Sequence, residues 1–312
     1  MTSPVEIQQR TINGSEGPHL LITGGVHGDE FEPMAAIRRI MMQVDGSDLR
    51  GRLTLAPVVN EAAYRKKHRF AEDDLDLARN CPGSADGSIT LRTAFALSRL
   101  IQAADYFIDL HTGGTTLNIL PMSGYSLHMD AKILDVQRAM ARAFNLPVIW
   151  GTSPTLDGRS LSVARDANVP AIYAEYHGAA TCDYEGVDAY VDGCLNVMAE
   201  VGMIDRQPPP SRVKHVVEDE RHGSGHMQVQ NPAPIEGFFE PEVTLGQRIE
   251  SEDPIGTVCD VLGDDVRIVR SAQSGIVLML KSFSRVDKDE GVGVVLESDR
   301  PLGGGPGGGG SS

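Results

Sequence analysis

A histidine and a glutamate three residues apart follow the first strongly apolar run of the chain. His27 and Glu30 stand in the segment GGVHGDE, residues 24–30, directly after the mainly apolar residues 20–23. In a tight turn this spacing lets both side chains face one metal ion, and the flanking glycines let the backbone fold closely around it. The motif therefore predicts a site in a loop at the carboxyl end of a strand, where sites form in open α/β sheets.

Two later apolar runs also end in residues that bind metals or move protons. His111 closes the run in FIDLHTGG, residues 107–114, and Glu175 closes the run AIYAE. If these runs are parallel strands of one sheet, His111 and Glu175 lie at the same edge as His27 and Glu30. Two histidines and one carboxylate, with a fourth position open for water, form the ligand set of a catalytic zinc site. Glu175, beside such a metal but not bound to it, is predicted to accept a proton from the attacking water.

Each of these signals has a simpler interpretation when it is taken alone. A histidine at a strand end is usually a polar surface residue, the glycine-rich segment could be a plain turn, and Glu175 could be a solvated charge. The metal site is favoured because three strand ends carry suitable residues next to glycine. Asp109, two residues before His111 on the same strand face, is expected to accept an N–H from a ligand histidine. Three other histidines are assigned to a surface loop, namely His215, His222 and His226, and His177 is assigned to the lining of a pocket.

The elements that must position these residues alternate along the chain as in α/β proteins. Apolar runs predict strands, and apolar residues at helical spacing predict helices between them. This alternation indicates a mostly parallel sheet flanked by helices. The predicted strands cover residues 20–23, 53–59, 106–110, 117–120, 147–150 and 171–174. The predicted helices follow residue 33 and cover residues near 89–104, 131–144 and 186–202.

The sequence changes character after residue 206. Residues 1–206 form the predicted catalytic domain, and QPPPS at 207–211 is a stiff proline-rich linker. Residues 212–300 carry short β-type runs separated by glycines, which predicts a smaller C-terminal all-β domain. Residues 301–312 are almost entirely glycine, proline and serine, which predicts a disordered tail.

Composition excludes several classes of partner. The formal net charge of −15 disfavours nucleic acid and anionic lipid as partners. There is no apolar run of 18 residues and no apolar segment after the N-terminus, so we expect neither a membrane span nor a signal peptide. The 4 cysteines form no C-x-x-C pair and are interpreted as reduced, which favours a cytoplasmic protein.

Together, GGVHGDE, the following DLH at residues 109–111 and Glu175 resemble the succinylglutamate desuccinylase/aspartoacylase family of the zinc carboxypeptidase clan. The resemblance covers roughly residues 15–300. It implies a zinc carboxypeptidase-like fold and one Zn²⁺ per chain bound by His27, Glu30 and His111, with Glu175 as general base. It also implies hydrolysis of the amide bond of a small N-acyl amino acid.

The resemblance assigns two arginines as well. Arg69 stands nine residues after Asn60 and matches the family's carbonyl-polarising arginine. Arg79 closes the segment DLAR and matches the carboxylate-binding arginine of the family's Asp-Leu-Asn-Arg motif. Ala78 replaces the asparagine of that motif, and Glu61 replaces a proline after Asn60. The missing asparagine removes a polar contact to the substrate, which argues against the usual acyl-aspartate or acyl-glutamate more than against the chemistry.

Two other functions remain as alternatives. A zinc carboxypeptidase acting on short peptides would use the same metal site but needs an open cleft, which the predicted C-terminal domain would restrict. A non-catalytic metal-binding protein would be expected to have a closed shell of four ligands rather than three ligands beside Glu175. The expected partner is therefore a small N-acyl amino acid, and a homo-oligomer is left open.

Overall fold

The computed structural model describes residues 5–298, and the predicted tail at 301–312 lies outside them. The helices are α1 (Phe31–Gln43), α2 (Glu61–Lys66), α3 (Ile89–Gln102), α4 (Ala131–Phe144), α5 (Ser160–Asp166) and α6 (Tyr184–Glu200). The first strands are β1 (Arg10–Asn13), β2 (Ser15–Thr23), β3 (Arg50–Ala56), β4 (Tyr106–His111), β5 (Leu117–Ser126), β6 (Val148–Thr152) and β7 (Ala171–Gly178). The later strands are β8 (His215–Glu218), β9 (Gly237–Pro241), β10 (Arg248–Ile249), β11 (Pro254–Cys259), β12 (Val266–Arg270), β13 (Gly275–Lys281), β14 (Arg285–Val286) and β15 (Gly293–Leu296).

Most of these strands form one large sheet whose centre is parallel. Strands β3, β2, β4 and β7 lie side by side in this order, and each neighbouring pair is parallel. β5 runs antiparallel to β7, whereas β6 pairs in parallel with both β5 and β8. The prediction of an α/β protein with a large sheet and flanking helices is confirmed.

Alternation along β2 shows how the sheet separates two cores. Leu20 and Ile22 belong to the apolar cluster formed with helices α1, α4 and α6. Leu21, between them, belongs to the cluster formed with α3 and α5. Because consecutive side chains of a strand point to opposite faces, the helices cover the sheet on both sides. Among residues 5–298, no helix is both long enough and apolar enough to cross a membrane.

The C-terminal region is built from strands, but it contributes to both sheets. Strands β12, β11, β9 and β14 form a separate four-stranded antiparallel sheet, which supports part of the all-β prediction. β13 instead pairs with β5, and β10 and β15 pair with β13, so these three extend the large sheet. All residues of β13 are buried, as expected of a strand that has neighbours in the sheet and apolar side chains on both faces. The domain boundary at 207–211 stays a prediction.

Phe144 at the end of α4 joins two helices that support the sheet. Its ring packs against Tyr190 of α6 with 6.0 Å between centroids. A Cβ atom at Gly193 of α6 would lie 2.7 Å from the Phe144 ring, so this ring can pack closely against α6 because residue 193 is glycine. We expect Phe144→Ala to lower the free energy of unfolding by about 3–5 kcal/mol, since it leaves a cavity in the core.

Urea denaturation of the metal-free protein measures this change. Met129→Ala is the control because that side chain is 93% exposed, and it should change stability by less than about 0.5 kcal/mol. A loss below about 1 kcal/mol for Phe144→Ala would contradict the packing described here.

Candidate active site

Strand pairing brings the predicted residues to one edge of the large sheet. In the parallel register of β4 and β7, His111 lies opposite Glu175. In the register of β2 and β4, Thr23 lies opposite Asp109. The loop that follows β2 then carries His27 and Glu30 to the same edge, before α1 begins. Distant parts of the chain therefore meet at the carboxyl ends of adjacent parallel strands, as in other α/β sites.

His27, Glu30 and His111 form a compact cluster that could hold a metal ion. Their potential ligand atoms all lie within 4.8 Å of one another. Glu30 Oε1 is 2.6 Å from His27 Nδ1, and Glu30 Oε2 is 3.0 Å from His111 Nδ1. Two imidazole nitrogens and a carboxylate are ordinary zinc ligands, and the three leave a coordination position free. The donor set therefore fits the predicted zinc ion.

The other nitrogen of each imidazole faces a carboxylate. His27 Nε2 lies 3.1 Å from Asp76 Oδ1, and His111 Nε2 lies 3.1 Å from Asp109 Oδ2. These carboxylates can accept the Nε2–H, which fixes the ring orientation and leaves Nδ1 free to bind a metal ion. The contact of Asp109 is the one expected from sequence, whereas the contact of Asp76 was not predicted.

The charges of the cluster favour a cation. Burial lowers the pKa of His111, but the negative charges of Asp109 and Glu30 outweigh burial and raise this pKa well above its ordinary value. Burial raises the pKa of Glu30, but the charges of His27 and His111 hold it well below its usual range. The raised pKa of His111 shows how strongly the buried carboxylates of this cluster attract positive charge. A divalent cation would supply that positive charge instead.

Glu175 is a buried carboxylate with one uncommitted oxygen. Its Oε2 is buried and makes no hydrogen bond to any residue among 5–298. Burial raises the pKa of Glu175 to about 8, although the charge of His111 acts in the opposite direction. No protein donor stabilises the negative charge on Oε2, so the carboxylate has a raised affinity for a proton. This suits Glu175 to exchange a proton with a bound reactant.

Arg69 lies between the cluster and a neighbouring carboxylate. Its Nη2 is 3.1 Å from Asp76 Oδ2, and its Nη1 is 3.6 Å from Glu30 Oε1. The guanidinium also lines the same cavity as the His-Glu-His cluster. A fixed positive charge at this position can stabilise negative charge that develops beside the His-Glu-His cluster.

Arg79 lines the cavity as well and is largely buried. Burial lowers the pKa of Arg79, and the negative charge of Asp76 acts in the opposite direction. Asp74 pairs with Lys66 at 2.9 Å, and Asp76 contacts both Arg69 and His27.

Arg159, at the N-terminus of α5, was not predicted. It lines the cavity, and burial together with the charge of Arg79 lowers its pKa to about 10. Within residues 5–298, no carboxylate oxygen lies within 4.0 Å of its guanidinium nitrogens. Gly158 lets the backbone before α5 lie close to the backbone of Arg79, because a Cβ at residue 158 would lie 2.4 Å from the Arg79 carbonyl oxygen. Two arginines that repel each other therefore face a cavity that suits an anion.

The rest of the cavity wall is mainly apolar. Ile119, Leu161 and Tyr173 contribute from the catalytic part, and Gly225 and Met227 contribute from the C-terminal region. The latter segment is held against the loop after β6, since the Ser153 N–H donates to Ser224 Oγ at 2.7 Å. His226 Nδ1 lies 3.4 Å from Arg159, so this histidine borders the site. The surface loop predicted for His215 is wrong, because His215 begins β8 and pairs with β6.

The fold and the site together define an α/β protein in which a His-Glu-His cluster that could bind a metal ion lies beside a buried glutamate. The profile of the succinylglutamate desuccinylase/aspartoacylase catalytic domain matches residues 16–201. The chain therefore belongs to the succinylglutamate desuccinylase/aspartoacylase family, which confirms the family indicated by its motifs. The roles of the individual site residues stay predictions.

Relatives of known sequence or structure span nearly the whole chain. The N-alpha-acetyl-L-2,4-diaminobutyric acid deacetylase of Halomonas elongata is 27% identical over 308 residues, covering 96% of this chain and 88% of that protein. A succinylglutamate desuccinylase/aspartoacylase from Rhodobacter sphaeroides superposes with a TM-score of 0.84 at 26% identity, covering 95% of this chain and 90% of that one. The product-bound ectoine utilization protein EutE from Ruegeria pomeroyi gives a TM-score of 0.81 at 25% identity, with 93% and 89% covered.

Proposed function

We propose that this protein is a zinc-dependent deacylase that hydrolyses the amide bond of a small N-acyl amino acid. The observation that carries the proposal is the buried Glu175, whose Oε2 has no protein partner among the described residues and which lies opposite His111 in the strand register. A purely structural metal site has no use for such a carboxylate. The relationship to a deacetylase of an N-acetylated amino acid supports the same reaction.

Each group of residues in the site has a different role in the proposed reaction. His27, Glu30 and His111 would hold zinc, which when bound lowers the pKa of water and polarises a carbonyl group. Glu175 accepts a proton as water attacks the amide carbonyl, and it later returns a proton to the leaving amine. The guanidinium of Arg69 stabilises the negative charge that develops on the carbonyl oxygen. A carboxylic acid and a free amino acid leave the site.

The cavity also indicates which substrates fit. Arg79 and Arg159 can bind the carboxylate of the amino acid, and the apolar wall accommodates an uncharged portion. Among described residues, the carboxylates that line the cavity are Glu30 and Glu175, both assigned to the reaction. Within this described lining, no further acidic group is left to bind an ammonium group of the kind that N-acetyl-2,4-diaminobutyrate carries. We therefore propose an N-acyl amino acid without a free amino group.

A panel of compounds tests this function. Zinc-loaded protein is incubated with N-acetyl and N-succinyl derivatives of neutral, acidic and basic amino acids, together with short peptides, and released amine is measured. We expect hydrolysis of N-acyl amino acids lacking a free amino group and much slower release from peptides. Faster release of C-terminal residues from peptides would overturn the deacylase assignment in favour of a carboxypeptidase.

Arg79→Ala tests how the substrate is bound. Removing one partner of a desolvated ion pair costs roughly 3–5 kcal/mol, which corresponds to about a 10²–10⁴-fold loss in kcat/KM. We expect this loss on a carboxylate substrate and a much smaller loss on the matching amide, because the amide has no anion to bind. Arg65→Ala is the control, since Arg65 is exposed and pairs with Glu61. Equal losses on both substrates would contradict the binding of a carboxylate by Arg79.

A further inference from the structure

We infer that Ser160 and Thr23 are positioning residues that fix the metal ligand His111 through Asp109. The inference rests on the proposed function, because it takes His111 as a zinc ligand. It goes further by assigning roles to two hydroxyl groups that do not contact the ligand themselves.

The contacts converge on Asp109 from two different elements. Thr23 ends β2, and its Oγ1 donates to Asp109 Oδ1 at 2.7 Å. Ser160 begins α5, and its Oγ donates to Asp109 Oδ2. The same Oδ2 lies 3.1 Å from His111 Nε2. Both oxygens of this carboxylate are therefore held by protein donors, and one of them also faces the imidazole.

Burial makes the orientation of the Asp109 carboxylate depend on these two hydroxyl groups. Asp109 and Thr23 are fully buried, and Ser160 is 7% exposed, so bulk water does not replace a lost hydroxyl easily. With both hydroxyls present, the carboxylate has one favourable orientation, and the imidazole that donates to it is oriented as well. With either hydroxyl removed, the carboxylate can rotate about its Cβ–Cγ bond. His111 would then spend less time in the geometry that metal binding needs.

The placement of Ser160 links this effect to the substrate cavity. Arg159 lines the cavity, and Ser160 follows it at the start of α5. One helix terminus therefore carries a guanidinium facing the substrate and a hydroxyl that supports the metal site. Ser162 of the same turn stabilises the helix start, since its Oγ accepts from the Arg159 N–H at 3.0 Å and donates to the Arg159 carbonyl at 2.7 Å.

Zinc affinity tests the inference directly. The dissociation constant is measured by competition with a chromophoric chelator for the full chain and for Ser160→Ala, Thr23→Val and Ser162→Ala. We expect about a tenfold weaker zinc affinity for Ser160→Ala and for Thr23→Val, at the lower end of the effect of partners that orient metal ligands. Ser162→Ala should bind zinc as the unchanged protein does. Thr23→Ser keeps the hydroxyl and should restore most of the affinity.

The outcomes separate this inference from the proposed function. Unchanged zinc affinity in Ser160→Ala and Thr23→Val, with affinity lost in His111→Ala, would overturn the positioning role alone. Unchanged affinity in His111→Ala would overturn the proposed zinc site itself. An equal loss in Ser162→Ala would show that a general loosening of α5 is responsible and would also overturn the role of Ser160. Thermal melting of the metal-free variants identifies any that do not fold, and Thr23→Ser then serves as the folded comparison.

Discussion

Replacing Glu175 with glutamine is expected to lower kcat by about 10²–10⁴-fold while the protein keeps its zinc. The substitution preserves the shape of the side chain but removes its capacity to accept a proton. Glu175 Oε2 has no hydrogen-bond partner among residues 5–298, so the loss of its charge breaks no ion pair that supports the fold. The effect should therefore appear in the chemical step rather than in stability.

Rates and zinc content are measured together for this variant. Glu32→Gln is the matched control, because Glu32 is another buried glutamate, on α1, and does not line the cavity. The control should retain most of the activity. If Glu175→Gln turned over substrate at close to the unchanged rate, Glu175 would not be the general base.

Replacing His111 with alanine should remove tightly bound zinc and reduce activity to the level of the background reaction. His111 Nδ1 lies 3.0 Å from Glu30 Oε2, within the cluster whose ligand atoms are within 4.8 Å of one another. Two remaining ligands cannot complete the three-ligand set of a catalytic zinc site. The loss of activity should exceed that of Glu175→Gln, because zinc contributes both the activated water and the polarised carbonyl.

Metal analysis after dialysis against a weak chelator measures this effect. His128→Ala is the control, since His128 lies after β5 and its Nε2 contacts the Arg165 carbonyl at 3.3 Å. It should retain one equivalent of zinc. A full equivalent of zinc in His111→Ala would mean that the ligand set is different.

Residues near the carboxyl ends of strands could be placed from the sequence. His27 lies in the loop after β2, His111 ends β4, and Glu175 lies three residues before the end of β7, which is longer than its apolar run predicts. Parallel pairing of these strands brings the three residues to one edge. The local pattern is sufficient here because the position of each residue depends on its own strand. The structure brings all six predicted site residues to one cavity.

Arg159 and Asp76 show where the sequence is insufficient. α5 is short and lacks a long apolar period, so the helix start that carries Arg159 has no clear signature. Its position depends on the approach of Gly158 to the Arg79 backbone, which is a contact between distant segments. The contact between Asp76 and His27 likewise joins two loops. A signal existed for Arg159, since it is a basic residue in the loop after a strand, but many basic residues share that feature.

The C-terminal strands show the same limit for the fold. Glycine-punctuated β runs indicate strands, but they do not reveal which sheet each strand joins. β13 pairs with β5, where apolar side chains from other parts of the chain cover both of its faces. Which strand offers such a position depends on how the whole core packs. Pairing between distant strands is a tertiary property that local pattern does not encode.

Metal removal and restoration test the central claim most directly. The protein is stripped of metal with a chelator, its fold is checked by circular dichroism, and amine release from an N-acyl amino acid is measured as zinc is added. We expect no turnover without metal and full turnover at one equivalent of zinc per chain, with one carboxylic acid formed for each amine. Hydrolysis by the folded, metal-free protein at an undiminished rate would contradict the account.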